Sequence, residues 1–209
     1  MSDDKAKKLF VVRHGQTLFN QKGLIQGWCD SPVTELGHKQ AKATKAYLEG
    51  RKIDFDHAYC STLGRTEETL KDITNLPYER LEGLKEFHYG TMEGEQISKA
   101  SPVRDLETYY VQYGGESKSQ VENRMYDTLS KLMENPDNQN VLVVAHGACS
   151  YRFANKVDPK KAKELRKFSN CMIYEYEYKD GKFHLVDIID EHVKDLQGHP
   201  KTDLAAVMK

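Results

Sequence analysis

Two short, uninterrupted apolar runs limit what this chain can become: Leu9-Phe10-Val11-Val12 and Val141-Leu142-Val143-Val144-Ala145. Both are too short for a buried helix and rich in β-formers, so each reads as a strand covered on both faces. Strands of that kind belong to a largely parallel sheet, whose crossovers are helical. The intervening sequence supplies such crossovers. Thr34 caps a helix to about Gly50, with Leu36, Ala43 and Tyr47 along one face. A short strand is expected around His57 to Cys60. Ser61 then opens a helix carrying Leu63, Thr66, Leu70 and Ile73, closed by Pro77. Ser119-x-x-Glu122 has the form of a capping box ahead of Val121, Met125, Leu129 and Leu132, a stripe that stops near Pro136. From Cys171 to Tyr178 aromatic and charged residues alternate, Asp180-Gly181 turns, and Phe183 to Ile189 returns as the second strand of a hairpin.

The expected fold is therefore α/β, a three-layer sandwich with a mostly parallel sheet, an antiparallel edge hairpin and a small cap insertion. The insertion, at about 87–118, breaks the strand–helix rhythm with many aromatics and is expected to lie over the site. No repeat or Pro/Gly/Ser linker divides the chain, so residues 1–209 read as one domain. The stretch Glu191 to Lys209 reads as a loose tail or a docked helix. Charge narrows the partners: 31 basic side chains face 32 acidic ones, for a net charge of -1. That balance excludes a broad nucleic-acid footprint and leaves room only for a local anion site. The apolar runs fall well short of a membrane span, and Leu9 to Val12 is too short for a signal sequence. Cys29, Cys60, Cys149 and Cys171 are widely spaced, with no Cys-x-x-Cys pair. A cytoplasmic protein with ordinary buried thiols is expected.

Both apolar runs end alike. Arg13-His14-Gly15 follows the first and His146-Gly147 the second. Ligands in open α/β sheets bind at the carboxyl ends of strands, which is where these histidines fall. Each precedes a glycine, which permits a sharp turn and exposes backbone N–H groups. One such histidine is unremarkable, since it could merely end a strand; the same ending twice is a signal. Ser61 and Arg65, one helical turn apart, bring polar groups to the next strand end, and Glu86 follows the run Glu79 to Lys85. Two histidines, two arginines and one glutamate at successive strand ends suit phosphoryl transfer. Cations hold the phosphoryl oxygens, an imidazole attacks and a carboxyl moves a proton.

Arg13-His14-Gly15-Gln16-Thr17 with Asn20 resembles the opening motif of the histidine phosphatase superfamily, in its phosphoglycerate mutase-like branch. Gln26-Gly27-Trp28, Asp30-Ser31-Pro32 and Leu36-Gly37 are similar to the stretch that follows it. The likeness continues through Ser61 with Arg65, Glu86 with Tyr89-Gly90, Glu93-Gly94, Gly115-Glu116-Ser117 and Ala145-His146-Gly147, in order from about Leu9 to Val157. The resemblance implies that His14 is the nucleophile and forms a phosphohistidine. It implies that Arg13 and Arg65 clamp the phosphoryl oxygens, with His146 and Asn20 as further donors, and that Glu86 is the acid and then the base. Gln26, Gly27, Tyr89 and Gly147 are expected to shape substrate binding. Since arginines supply the positive charge, neither metal nor cofactor is expected, and the partner is a small phosphorylated metabolite.

Within that family the shorter insertion and Glu93-Gly94 favour phosphatase over mutase. A mutase's adjacent arginine pair is missing here, with Arg104 the main candidate grip and Lys99 and Lys118 lesser ones. The alternatives are a cofactor-dependent phosphoglycerate mutase and a non-catalytic phosphate-binding module. Cys60-Ser-Thr-Leu-Gly-Arg65 also resembles the loop of cysteine-dependent phosphatases, but it is one residue short of wrapping a phosphate. A metal site from His14, His146 and Glu86 would have to tolerate two adjacent arginines.

Overall fold

The computed structural model describes residues 6–100, 105–165 and 168–197. Its centre is the pair of apolar runs. Strands β1 (Lys7–Arg13) and β4 (Asn140–Ala145) lie side by side and parallel, Leu9 opposite Val141 and Val11 opposite Val143. Side chains alternate across a strand, so each run feeds two cores. Leu9, Val11, Val141 and Val143 pack against Met125, Leu129 and Phe153 on one face, while Phe10, Val12, Leu142 and Val144 meet Leu48, Leu70 and Ile73 on the other. All eight strand positions are fully buried. At about 25 cal/mol per Å² of apolar surface, they are a principal source of the sheet's stability.

Strands β2 (His57–Ser61) and β3 (Tyr78–Leu81) extend the parallel part. On the other side β5 (Ile173–Lys179) and β6 (Lys182–Ile189) run antiparallel, giving the order β3-β2-β4-β1-β5-β6. The hairpin thus forms one edge, and the turn at Asp180 and Gly181 takes positive φ at both residues. Helices α1 (Leu18–Lys22), α2 (Glu35–Gly50) and α3 (Gly64–Ile73) precede the middle of the chain, and α4 (Lys118–Glu134), α5 (Gly147–Val157) and α6 (Pro159–Glu164) follow it. Thr34 caps α2 as expected, its hydroxyl accepting from Gly37 N–H. The buried stripe of α2 is Gln40, Ala41, Thr44 and Leu48, beside the face expected from Leu36, Ala43 and Tyr47. Between residues 87 and 117 the described chain holds three single 3-10 turns and no strand.

Two expected starts shift. Helix α4 is capped by Ser117, whose capping box closes with Gln120; Ser119 instead gives its hydroxyl proton to Glu107. Two overlapping Ser-x-x-Glu/Gln patterns competed, and the cap fell where the backbone is still extended, at φ -82 and ψ 160. Ser61 ends β2 rather than opening a helix, and α3 starts at Gly64 after an N-cap, Leu63, that offers no side-chain bond. At the other end, Glu191–Leu196 forms a 3-10 turn docked on α2, with His192 stacked on Tyr47 at 4.8 Å. No described helix is long and apolar enough to cross a membrane.

Candidate active site

The carboxyl ends of β1 and β4 adjoin, so the two histidines meet. The His14 and His146 rings lie edge to face with centroids 5.3 Å apart. His14 is 3% exposed and His146 0%. His14 Nδ1–H donates to the Gly15 carbonyl at 2.8 Å, which fixes the tautomer and leaves Nε2 with its lone pair. Burial, then Arg65, then Arg13 hold the His14 imidazole well below its ordinary pKa of 6.5. Burial acts first on His146 too, followed by Arg65 and His14. Both rings are neutral near pH 7. Glycine serves this site differently from the expected sharp turn, because neither Gly15 nor Gly147 takes positive φ. A Cβ on Gly15 would sit 2.6 Å from the Gly37 carbonyl oxygen, so the residue is needed for close approach of two loops.

The expected cations are both buried, and each has work within the chain. Arg13 donates to the Phe168 carbonyl. Burial lowers its pKa, with Glu86 the largest opposing influence, and it remains a guanidinium. Arg65 is fully buried and bonds Gly27 O (2.8 Å), Cys29 O (3.0 Å) and Asp30 Oδ1 (3.0 Å), so it holds the 27–30 loop. Three buried donors or acceptors here have no partner among the described residues: Arg13 Nε, Arg65 Nε and His146 Nδ1. Buried polar atoms are rarely left unpaired, and a set of them beside a fixed imidazole is what an absent anion would leave behind.

Glu86 comes to the site by a longer route than a strand end. After β3 a 3-10 turn, Glu82–Leu84, carries the chain in, and the carboxyl meets the first turn of α5. Oε1 accepts from Phe87 N–H (2.8 Å) and Cys149 N–H (2.8 Å), and Oε2 accepts from Ala148 N–H (2.9 Å). Three of the four lone-pair positions are taken, leaving one on Oε2 for a proton. The Glu86 carbonyl is held as well, by Trp28 Nε1–H and Arg124 Nη2–H, each at 2.9 Å.

Arg13, His14, Asn20, Gln26, Glu86 and Tyr89 line one cavity of about 50 Å³. That is room for a few waters, so it admits a phosphoryl group before a bulky leaving group. Arg65, Gly27, His146 and Gly147 do not line this cavity: Arg65 pairs with Gly27, next in the chain to Gln26, and His146, which precedes Gly147 at the start of α5, reaches the cluster through its ring contact with His14. Gln26 uses both ends of its amide inside the loop, on Thr17 and Ser31. Larger hollows elsewhere, such as one of about 420 Å³ between α6 and β6, share no residue with this cluster.

Four further residues shape the site, of which Ser61 and Glu93 stand in the motifs picked out from the sequence, while Arg124 and Asn170 do not. The Ser61 hydroxyl lies 2.7 Å from His146 Nε2. Glu93 accepts from Trp28, Cys29 and Tyr89 N–H groups, clasping two site loops together. Arg124 pairs with Glu116 at 2.7 Å and holds three carbonyls of the Glu86 segment. Asn170 touches both His14 and Asn20. The cysteine alternative falls away, because Cys60 is fully buried and burial pushes its thiol up to about 11.

Comparison with known proteins agrees in fold and in family. The family model described as histidine phosphatase superfamily (branch 1) matches residues 9–191. A relative from Yersinia pestis, named probable phosphoglycerate mutase GpmB, is 29% identical over 187 residues, covering 83% of this chain and 86% of its own. A phosphoglycerate mutase structure from Bacillus anthracis superposes with a TM-score of 0.77 at 27% identity, over 88% of this chain and 92% of that one. A phosphoserine phosphatase from Entamoeba histolytica, solved with 3-phosphoglyceric acid, shares the fold with a TM-score of 0.74 at 24% identity, over 89% and 98% of the two chains.

Proposed function

The chain belongs to the histidine phosphatase superfamily, branch 1, and from that membership we propose that it hydrolyses the phosphomonoester of a small metabolite through a phosphohistidine on His14. The observation that carries the reading is the fixed, neutral His14 ring with Nε2 free, set among buried donors that have no partner. Nε2 attacks phosphorus in line while the bond to the leaving oxygen breaks. Arg13 Nε–H, Arg65 Nε–H and the Asn20 amide stabilise the charge spread over the equatorial oxygens. The Ser61 hydroxyl lies closer to His146 Nε2 (2.7 Å) than to the Thr66 hydroxyl (3.0 Å) and donates its one proton to that nitrogen. His146 then presents Nδ1–H as a further donor. Glu86 passes its Oε2 proton to the leaving oxygen, then takes one from the water that attacks the phosphohistidine. The guanidinium groups supply the positive charge, so the scheme requires no metal.

Hydrolysis is favoured over mutase chemistry by the rest of the cavity's lining among the described residues: Leu24, Ile25, Tyr89, Ile97 and Tyr110. None can grip a carboxylate as an arginine pair would. Lys99 pairs with Glu95, and Lys118 lies near Glu107 and Glu122, so both are committed to other carboxylates. Arg104 lies outside the described residues. The mutase remains the second reading because a curated relative carries that name. A panel of phosphate esters, scored for inorganic phosphate, tests the first reading. In 3-phosphoglycerate with a bisphosphoglycerate primer, phosphate release is expected to exceed 2-phosphoglycerate formation. Faster isomerisation would establish the mutase, and no turnover on any ester would leave a phosphate-binding module.

A further inference from the structure

The turn that leads into β5 carries a buried asparagine whose side-chain amide donates only toward the site. Asn170 is 8% exposed. Its Nδ2 donates to the His14 carbonyl (3.1 Å) and to Asn20 Oδ1 (3.1 Å). Two oxygen acceptors fix the orientation of this amide. Asn20 Oδ1 also receives the Thr17 N–H at 3.2 Å. Both lone pairs of that oxygen are therefore used, and the end of Asn20 left for a ligand is its NH2. Asn20 lines the cavity beside Arg13 and His14. Without the bond from Asn170, its amide would be held by the α1 capping box alone.

Asn170 is itself gripped by the C-terminal segment. Gln197 Oε1 accepts the Asn170 N–H (3.1 Å), and Gln197 Nε2 donates to the Asn170 carbonyl (3.3 Å). One side-chain amide thus makes the two-bond pairing that a neighbouring strand would make. A second tie runs nearby, where Gln40 accepts the Gln16 N–H (2.8 Å) and donates to the Leu196 carbonyl (2.9 Å). Leu196 and Gln197 are therefore tied to the nucleophile loop through two separate side-chain amides.

We propose that Asn170, held by Gln197, is a positioning residue that presents the Asn20 amide as a donor to the phosphoryl oxygens and fixes the backbone of His14. The proposal rests on the reading of this site as a phosphoryl site, and its test does not depend on turnover. Orthovanadate affinity is measured by calorimetry on the full chain for wild type, Asn20→Ala, Asn170→Ala and the double variant, with melting temperatures recorded alongside. Each single change is expected to weaken binding about tenfold, and the double change no more than either one. With an aryl phosphate, kcat falls in step while KM moves little. Gln197→Ala, at a half-buried position, reproduces the loss in smaller measure, and it replaces Asn170→Ala in the cycle should that variant fail to fold. Losses that multiply to about a hundredfold in the double variant would overturn the proposal. So would wild-type vanadate affinity in Asn170→Ala accompanied only by a lower melting temperature. A wild-type protein that binds vanadate but hydrolyses no ester would remove the proposed function and leave the cycle to decide this point. A wild type that does not bind vanadate would remove both.

Discussion

Glu86 is asked to be an acid while three backbone N–H groups point at it. Those bonds orient the carboxyl and leave a single lone pair, on Oε2, for the transferable proton. Glu86→Gln therefore does more than delete an acid, because its NH2 must face either Ala148 N–H or the Phe87 and Cys149 pair. The variant is expected to lose about 1–3 kcal/mol of stability for the donor left unpaired. Alkyl phosphates, whose leaving alkoxide needs a proton, should slow by about a hundredfold or more. Phosphoenzyme formation from a nitrophenyl phosphate should suffer far less, since that leaving group is a weak base. Equal losses on both would remove Glu86 from the acid role. For His14 the neutral ring is the working form, so the acid limb of kcat/KM is expected below pH 6.5, the ordinary value from which burial and two arginines lower it. His14→Ala should lose at least about a thousandfold in turnover and abolish acid-labile, base-stable labelling by substrate phosphate. Labelling that survives in His14→Ala would place the nucleophile elsewhere.

At the scale of elements, the ends of β1 and β4 deliver the two histidines, and loops that meet supply the rest of the site. Arg65 shows this: from α3 it bonds three oxygens of the 27–30 loop, and Gly27 there sits 2.5 Å, by a notional Cβ, from the Phe87 carbonyl. Arg65→Lys cannot reach three acceptors with one ammonium. It is expected to cost about 2 kcal/mol in stability and at least about tenfold in kcat/KM, read by denaturant unfolding and by initial rates. Full activity in that variant would show that Arg65 is needed neither to hold the loop nor to clamp the phosphoryl group. The same geometry explains what was legible beforehand. His14 and His146 were legible because a continuous apolar run followed by His-Gly is a local pattern, and β1 beside β4 brings the two patterns together. Asn170 was not, because its partners lie about 150 residues away and nothing nearby distinguishes it from any polar turn residue. For Glu86 the position in the sequence is informative but its expected setting differs, since a 3-10 turn rather than a strand end delivers it. Arg124 has no local pattern to mark it, because its pairing with Glu116 and its bonds to three carbonyls exist only in the fold.

On the scale of the whole molecule, two apolar strands feed the cores on both faces and end in the same polar centre. Stability and site chemistry are therefore linked through protons. His14 and His146 are fully buried, and desolvation is the first cause that lowers the pKa of each; His192, between α2 and β5, is lowered by burial as well. In the unfolded chain each histidine takes a proton near 6.5. Between that value and its lower folded value, the unfolded state binds more protons than the folded state, so stability rises with pH and is lost as pH falls below about 6.5. The slope reaches about 1.4 kcal/mol per pH unit for each fully buried ring. Carboxylates do not mask this window, because Glu67 and Glu82, whose pKa values are lowered from 4.5, give up their contributions only below that value. Urea unfolding at pH 7.5, 6.5, 5.5 and 5.0 is therefore expected to show a plateau and then a steep loss. A His14→Gln, His146→Gln double variant should flatten the loss by about two protons' worth of slope. Saturating phosphate should protect the wild type more than the double variant, since bound anion stabilises only the folded state. A wild-type curve as flat as the double variant's between pH 6.5 and 5.0 would mean that the paired imidazoles are not neutral in the folded protein, and the nucleophile assigned to His14 would lose its lone pair.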